Sequence, residues 1–266
     1  MSLLLQHALW IGGPPGVGKS TVADRLARRH GLRLYSADTR TWIHRDRALA
    51  AGIEAAERWE ALPPAERGNG SPDELLAMSL HVERGPMVVD DVRALPPTPL
   101  VVAEGSTMPA SLVPVDRALW LLPTQELHRR RLEERGLPLP ARALYELLSA
   151  TIAAEAAEAR VPVLSVDGSL GIEETVDQVE HHFAWFLAAE SGTATLNERR
   201  ELLREANLDI VAQLRGFFAR PWADGSAEQV ERSFACECGD PACTARIEST
   251  VGVAAAGPVF RPGHER

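Results

Sequence analysis

Gly13-Pro14-Pro15-Gly16-Val17-Gly18-Lys19-Ser20 decides how this chain is read. Its glycines let consecutive backbone N–H groups turn inward around an anion, and a helix starting at Lys19 would aim the positive end of its dipole at the same point. Lys19 adds a compact ammonium, Ser20 a hydroxyl suited to Mg2+, and Thr21 a second hydroxyl within reach of a phosphate oxygen. The flanks agree with this. Residues 7–11 read as a short buried strand, and residues 19–30 as a helix with Val22, Ala23, Leu26 and Ala27 on one face, stopped by Gly31. A strand, a glycine loop and a helix in immediate succession predict that Gly13, Pro14, Pro15, Gly16, Val17, Gly18, Lys19, Ser20 and Thr21 hold the polyphosphate of a nucleoside triphosphate.

Lys19 is the single lysine among 28 cationic residues. Elsewhere the chain uses arginine, and at this position a planar guanidinium is too wide to fit among phosphate oxygens. The formal charge of -9 in 266 residues argues against a nucleic-acid surface and for a small-molecule substrate. The apolar opening Met1-Ser2-Leu3-Leu4-Leu5 has no cationic start, and no apolar run reaches the roughly 18 residues of a membrane span, so a cytoplasmic protein without membrane partners is expected.

Further along, residues 32–35 read as a second strand ending at Ser36-Ala37-Asp38, and residues 39–62 as polar helix. Ser71-Pro72-Asp73-Glu74 is a capping box, predicting a helix to about residue 84, followed by another over 86–95. Residues 100–103, 118–122 and 161–166 are apolar runs of strand length, separated by helices over 124–135 and 141–160 and followed by one over 172–188. Five alternations of strand and helix predict an α/β three-layer sandwich around a five-stranded parallel sheet. Ser191-Gly192-Thr193-Ala194 reads as a linker, dividing residues 1–190 from a small C-terminal extension, 191–266. There a second capping box, Thr195 to Glu198, opens a helix to about residue 218, and an irregular cysteine-bearing tail follows.

The glycine loop, Asp38 after the second strand, Glu104-Gly105 after the third and Arg131 with Arg135 after the fourth together resemble the P-loop kinases of small molecules. That group includes shikimate and nucleoside monophosphate kinases and chloramphenicol phosphotransferase, and the resemblance spans residues 7–188. It implies ATP, or GTP, with Mg2+, and transfer of the γ-phosphoryl group to a hydroxyl of a small acceptor, such as an antibiotic or specialised metabolite. Asp38 would be the base that takes the hydroxyl proton, or else only a helix N-cap. Glu104 would hold a magnesium-bound water or touch the acceptor, or else be a solvated strand end. Arg131 and Arg135, four apart on one helical face, would form a lid over the phosphates, or pair with Glu133 and Glu134, with Arg129 or Arg130 as substitutes. Arg40 is a candidate for binding an anionic group or a surface charge, and Asp90 and Asp91 read as solvated. Trp42, His44, Arg45, Arg47, Arg58 and Trp59 suggest a partly aromatic, partly anionic acceptor, although the tryptophans fit a core equally well. A nucleoside or nucleotide kinase, and a nucleotide-dependent regulatory protein, are the alternatives.

The three cysteines, Cys236, Cys238 and Cys243, lie around a Gly-Asp-Pro turn, an odd cluster unsuited to a disulfide framework. They could hold zinc with His264 as fourth ligand, or be reduced core residues. The sequence leaves the oligomeric state open.

Overall fold

The computed structural model describes residues 5–190, 192–193 and 195–265. Met1–Leu4, and Ser191 and Ala194 of the expected linker, lie outside them. A five-stranded, all-parallel sheet is built from β1 (Ala8–Gly12), β2 (Arg33–Ser36), β3 (Val101–Gly105), β4 (Ala118–Pro123) and β5 (Val163–Val166), in the order β2-β3-β1-β4-β5. β1 is central and buried throughout, so its alternating side chains feed two cores. Leu9 and Ile11 pack with Val22 and Leu26 of α1 (Lys19–His30) and with Phe183 of α8 (Ile172–Ala189). Ala8 and Trp10 face Val88 of α5 (His81–Ala94) and Ile152 of α7 (Leu139–Ala159). Helices on both faces of a parallel sheet make three layers.

β3 and β4 flank β1 on opposite sides. The chain therefore reverses its winding at β1, and such switch points leave a crevice at the carboxyl ends of the strands. The glycine loop and the N-terminus of α1 emerge there.

Between β2 and β3 run a 3-10 turn (Ala37–Arg40), α2 (Thr41–Ala50), α3 (Glu54–Ala61) and α4 (Pro72–Met78). The Ser71–Glu74 capping box forms as expected. The helix it opens ends at Met78 rather than near residue 84, because Leu80 takes a left-handed backbone (φ 61°). Leu80 is buried against Ala48 and Ala56, and this packing holds a conformation that a leucine adopts only at a cost. Its second half starts at His81 and continues through Pro86, so the separate helix expected over 86–95 is part of α5.

α6 (Gln125–Glu134) is capped by Thr124, whose hydroxyl accepts from the Leu127 amide. The C-terminal segment begins with α9 (Leu196–Phe218), capped by the Thr195–Glu198 box. Its tail is not irregular: β6 (Glu231–Ala235) and β7 (Arg246–Thr250) form an antiparallel pair, and α10 (Val251–Ala256) closes a core of Val211, Phe234, Val251 and Ala254. The sequence hides this pair because β6 and β7 carry few apolar residues. Among the described residues no helix is long and apolar enough to cross a membrane.

α9 lies alongside α1 and β2, with Arg33 paired to Glu205 at 3.0 Å and Arg40 to Asp209 at 2.7 Å. Phe217 at the end of α9 and Trp222 just after it close on Trp42 and Trp59 with centroid spacings of 5.4–5.9 Å. The Arg67 guanidinium lies 3.9 Å from the Trp222 centroid and 4.2 Å from that of Trp59. Edge-to-face and cation–π contacts of this kind add to simple burial. Trp222→Ala is expected to lower stability by about 3 kcal/mol in urea denaturation. A loss below about 1 kcal/mol would show that this cluster does not hold the C-terminal segment in place.

Candidate functional site

Gly13, Gly16 and Gly18 take φ values of 145°, 87° and 103°, which side chains strongly disfavour, and these conformations curl the loop above the end of β1. Gly18 precedes α1, whose first turn has neither a side-chain cap nor an acidic residue, leaving the positive end of the helix uncompensated. Lys19 is 4% exposed, while Ser20 and Thr21 are exposed at the mouth.

Glu104 gathers these groups. It is buried within β3, one strand over from the loop, and is not the solvated strand end that sequence alone allowed. Its Oε2 lies 3.9 Å from Lys19 Nζ and accepts from Ser20 Oγ at 2.9 Å, while Oε1 accepts from Ser36 Oγ. Burial raises the Glu104 carboxyl above its usual range against the opposing Lys19 charge, and the Asp38 charge adds to the rise. A hydroxyl, an ammonium and a carboxylate thus converge at the carboxyl end of the central strands.

α6 braces the loop. Arg131 donates to the carbonyls of Gly16 (3.0 Å) and Val17 (2.9 Å), and His128 Nε2 to that of Pro15 (3.1 Å). Burial lowers the His128 pKa, opposed by the Pro15 carbonyl. The Arg135 guanidinium is exposed above Gly16. Neither arginine pairs with Glu133 or Glu134, which instead meet Arg142 and Arg130. Arg129 faces Glu146, so Arg129 and Arg130 are both directed away from the loop. His128 was missed in the sequence, although it sits one turn before Arg131 on the same helical face.

Asp38 is exposed in the 3-10 turn, and its carboxylate caps no helix: the turn follows Ser36, and Arg40 precedes α2. Arg40 is engaged by Asp209, a partner 169 residues away. The expected aromatic pocket is filled by protein, since Trp42 and Trp59 hold Trp222 and Phe217. Arg45 lies 4.1 Å from the Trp59 centroid and donates to the Met78 carbonyl, with its pKa brought down by burial to about 10.

Asp90 is exposed and pairs with Arg93, but Asp91 is not the solvated residue expected. It accepts from Tyr35 Oη (2.9 Å), His44 Nε2 (2.9 Å) and Arg47 (2.6 Å). Arg84 Nε donates to His44 Nδ1 (3.3 Å), which leaves the His44 proton on Nε2, facing Asp91. Arg84 also donates to the Ala37 carbonyl at 2.5 Å, tying this buried network to the turn that carries Asp38.

The second cluster is Cys236, Cys238, Cys243 and His264, whose ligating atoms all lie within 4.8 Å of one another. His264 Nδ1 is 3.8 Å from Cys236 Sγ and 3.6 Å from Cys243 Sγ. Tetrahedral zinc, with bonds of about 2.3 Å to sulfur and 2.0–2.1 Å to nitrogen, sets S···N at roughly 3.5 Å, so this cluster could hold such a metal. The surrounding backbone is fixed from two helices: Arg28 of α1 donates to the Cys236 carbonyl at 2.6 Å, and Arg200 of α9 to that of Cys238 at 3.2 Å. Arginines braced on ligand backbones are the kind of outer support metal sites use.

Burial would raise the Asp91 pKa, but hydrogen bonds from His44, Arg47 and Tyr35 outweigh it and bring the value from 3.8 to about 2. A depressed carboxyl stabilises the fold fully above the unfolded value and loses that contribution as pH falls through the folded one. Asp91→Asn should therefore destabilise at pH 7, with the penalty shrinking between about pH 4 and pH 2 in denaturation midpoints; a penalty constant across that window would contradict the assignment. No protein-family model and no curated protein matches this chain.

Proposed function

We propose that the protein is an ATP-dependent O-phosphotransferase, moving the γ-phosphoryl group to a hydroxyl of a small molecule, with GTP as the alternative donor. The observation that carries this reading is the convergence of Lys19, Ser20 and buried Glu104 beside an uncapped helix N-terminus, at the crevice above β1. Loop amides and Lys19 would bind the phosphates, and Thr21 is free to add a hydrogen bond. Ser20 would ligate Mg2+ and Glu104 would hold a water bound to it, and the ion would offset charge on the transferred group.

Asp38, uncommitted to a cap, would take the proton from the acceptor hydroxyl. The acceptor oxygen then bonds to phosphorus as the bond from phosphorus to the bridging oxygen breaks, releasing ADP. Arg135 is exposed above Gly16 and would meet charge developing on the phosphoryl group. Arg131 would act through the loop carbonyls it already holds. A mononucleotide acceptor is less favoured, because the arginines at 40, 45 and 47 are taken by protein groups.

The cysteine cluster would hold a structural zinc, seating the turn at 238–243 against α1 and α9. The resemblance to small-molecule P-loop kinases fits the parallel sheet, though the zinc-bearing segment lies outside its span.

Calorimetry should detect magnesium-dependent uptake of ATP or GTP, weakened about 100-fold or more by Lys19→Ala. Asp38→Asn should keep that uptake while slowing transfer at least as much; unaltered uptake in Lys19→Ala would sink the reading. Protein purified without added metal should carry one zinc per chain by elemental analysis, and Cys243→Ser should lose it together with thermal stability. Metal-free wild type would exclude a tight site.

A further inference from the structure

The aromatic cluster of Trp42 and Trp59 is filled by Trp222 and Phe217, yet an open groove runs between α5, the loop that follows β3 and α7. Val82, Pro86, Met108, Pro109 and Leu112 give it apolar walls, and Val82 is 73% exposed. Glu155 and Glu158 of α7 lie along its rim. No arginine or lysine lines it, and among the described residues Glu158 has no cationic partner. The groove is therefore apolar along its walls and negative at one side.

Two of its polar atoms lack protein partners. His81 is 6% exposed and turns Nε2 to Glu155 at 3.1 Å, which leaves Nδ1 buried and unpaired. Thr107, 7% exposed, likewise has an unpaired Oγ1. With the ring proton facing the Glu155 carboxylate, Nδ1 offers a lone pair and calls for a donor. A buried acceptor left unpaired costs about 1–3 kcal/mol, so a ligand that supplies an O–H or N–H there gains what the fold leaves unmet.

Met108 of the groove and Ala37 of the candidate catalytic turn both pack against Gly105. A Cβ on Gly105 would meet Ala37 Cβ at 2.6 Å on one side and Met108 Cε at 3.2 Å on the other. Arg84, next to groove residue Gly85, holds the Ala37 carbonyl. Ala37 precedes Asp38, and Thr107 follows Glu104 by three residues.

We infer that this groove binds an amine-bearing, hydroxylated small molecule with an apolar body. The ammonium would lie against Glu155 and Glu158, the apolar body along Pro86 and Met108, and a donor would face His81 Nδ1. Naming this ligand the phosphoryl acceptor rests on the phosphotransfer reading; the binding itself does not.

The test uses 2-amino-1-phenylethanol, a cation at neutral pH, and 1-phenyl-1,2-ethanediol, its neutral counterpart, titrated into the full chain without nucleotide and followed by backbone amide shifts. The amine should move the amides of His81, Gly85 and Thr107 and bind about tenfold more tightly than the diol, a difference near 1.4 kcal/mol. Glu155→Gln with Glu158→Gln should abolish that preference, and Thr107→Val should weaken both ligands without altering it. Equal affinity for the two probes, shifts elsewhere on the protein, or no binding would overturn the inference. Amine binding by a chain that takes up no ATP upholds the groove and overturns the phosphotransfer reading instead.

Discussion

A single buried carboxylate organises the candidate site. Glu104 sits inside the sheet, where an ionised group survives only if its lone pairs are met by donors and its charge by a nearby cation. Ser20 and Ser36 supply the donors and Lys19 the charge. These partners come from the start of α1 and the end of β2, so the carboxylate on β3 fixes the loop, the helix and the neighbouring strand relative to one another. It also keeps the Lys19 ammonium drawn inward, over the strand ends, instead of leaving it free on a flexible stem.

The features legible in the sequence are those encoded locally. The bounds of α1, its stop at Gly31 and the capping boxes at Ser71 and Thr195 all rest on neighbours within four residues, and all formed. A five-stranded parallel sheet followed from apolar runs alternating with helices, although the strand order did not. Glycines and lysine at fixed spacing marked the loop. The sequence leaves Arg131 and Arg135 turned either toward the phosphates or toward Glu133 and Glu134; Arg131 donates to the loop backbone and Arg135 lies exposed above Gly16.

Misreadings arose where distant parts of the chain settle the matter. Asp91 looked solvated because its partners, Tyr35, His44 and Arg47, come from β2 and α2. Arg40 read as an anion-binding candidate or a surface charge, because nothing near it in sequence shows that Asp209 of α9 packs against it. Trp42 and Trp59 fit a ligand pocket and a core equally well by sequence, and Trp222 and Phe217, from the C-terminal segment, make them core. Leu80 breaks a helix that its own propensity would continue, because burial against Ala48 and Ala56 outweighs local preference. The cysteine cluster is the contrary case: His264, named from sequence as a fourth ligand, does reach Cys243, because the chain folds back past β7 and α10.

The position of α9 bears on how the chain can be made. Strand β2 is an outer strand of the sheet, and its Leu34, with Leu32 just before the strand, borders Leu202 and Ala206 of α9. An outer strand without such cover offers unpaired backbone groups and apolar flanks to any other chain it meets. On the ribosome that flank stays open until the residues after 195 have emerged, so the first half of the protein must wait, vulnerable to self-association, for the last part to arrive.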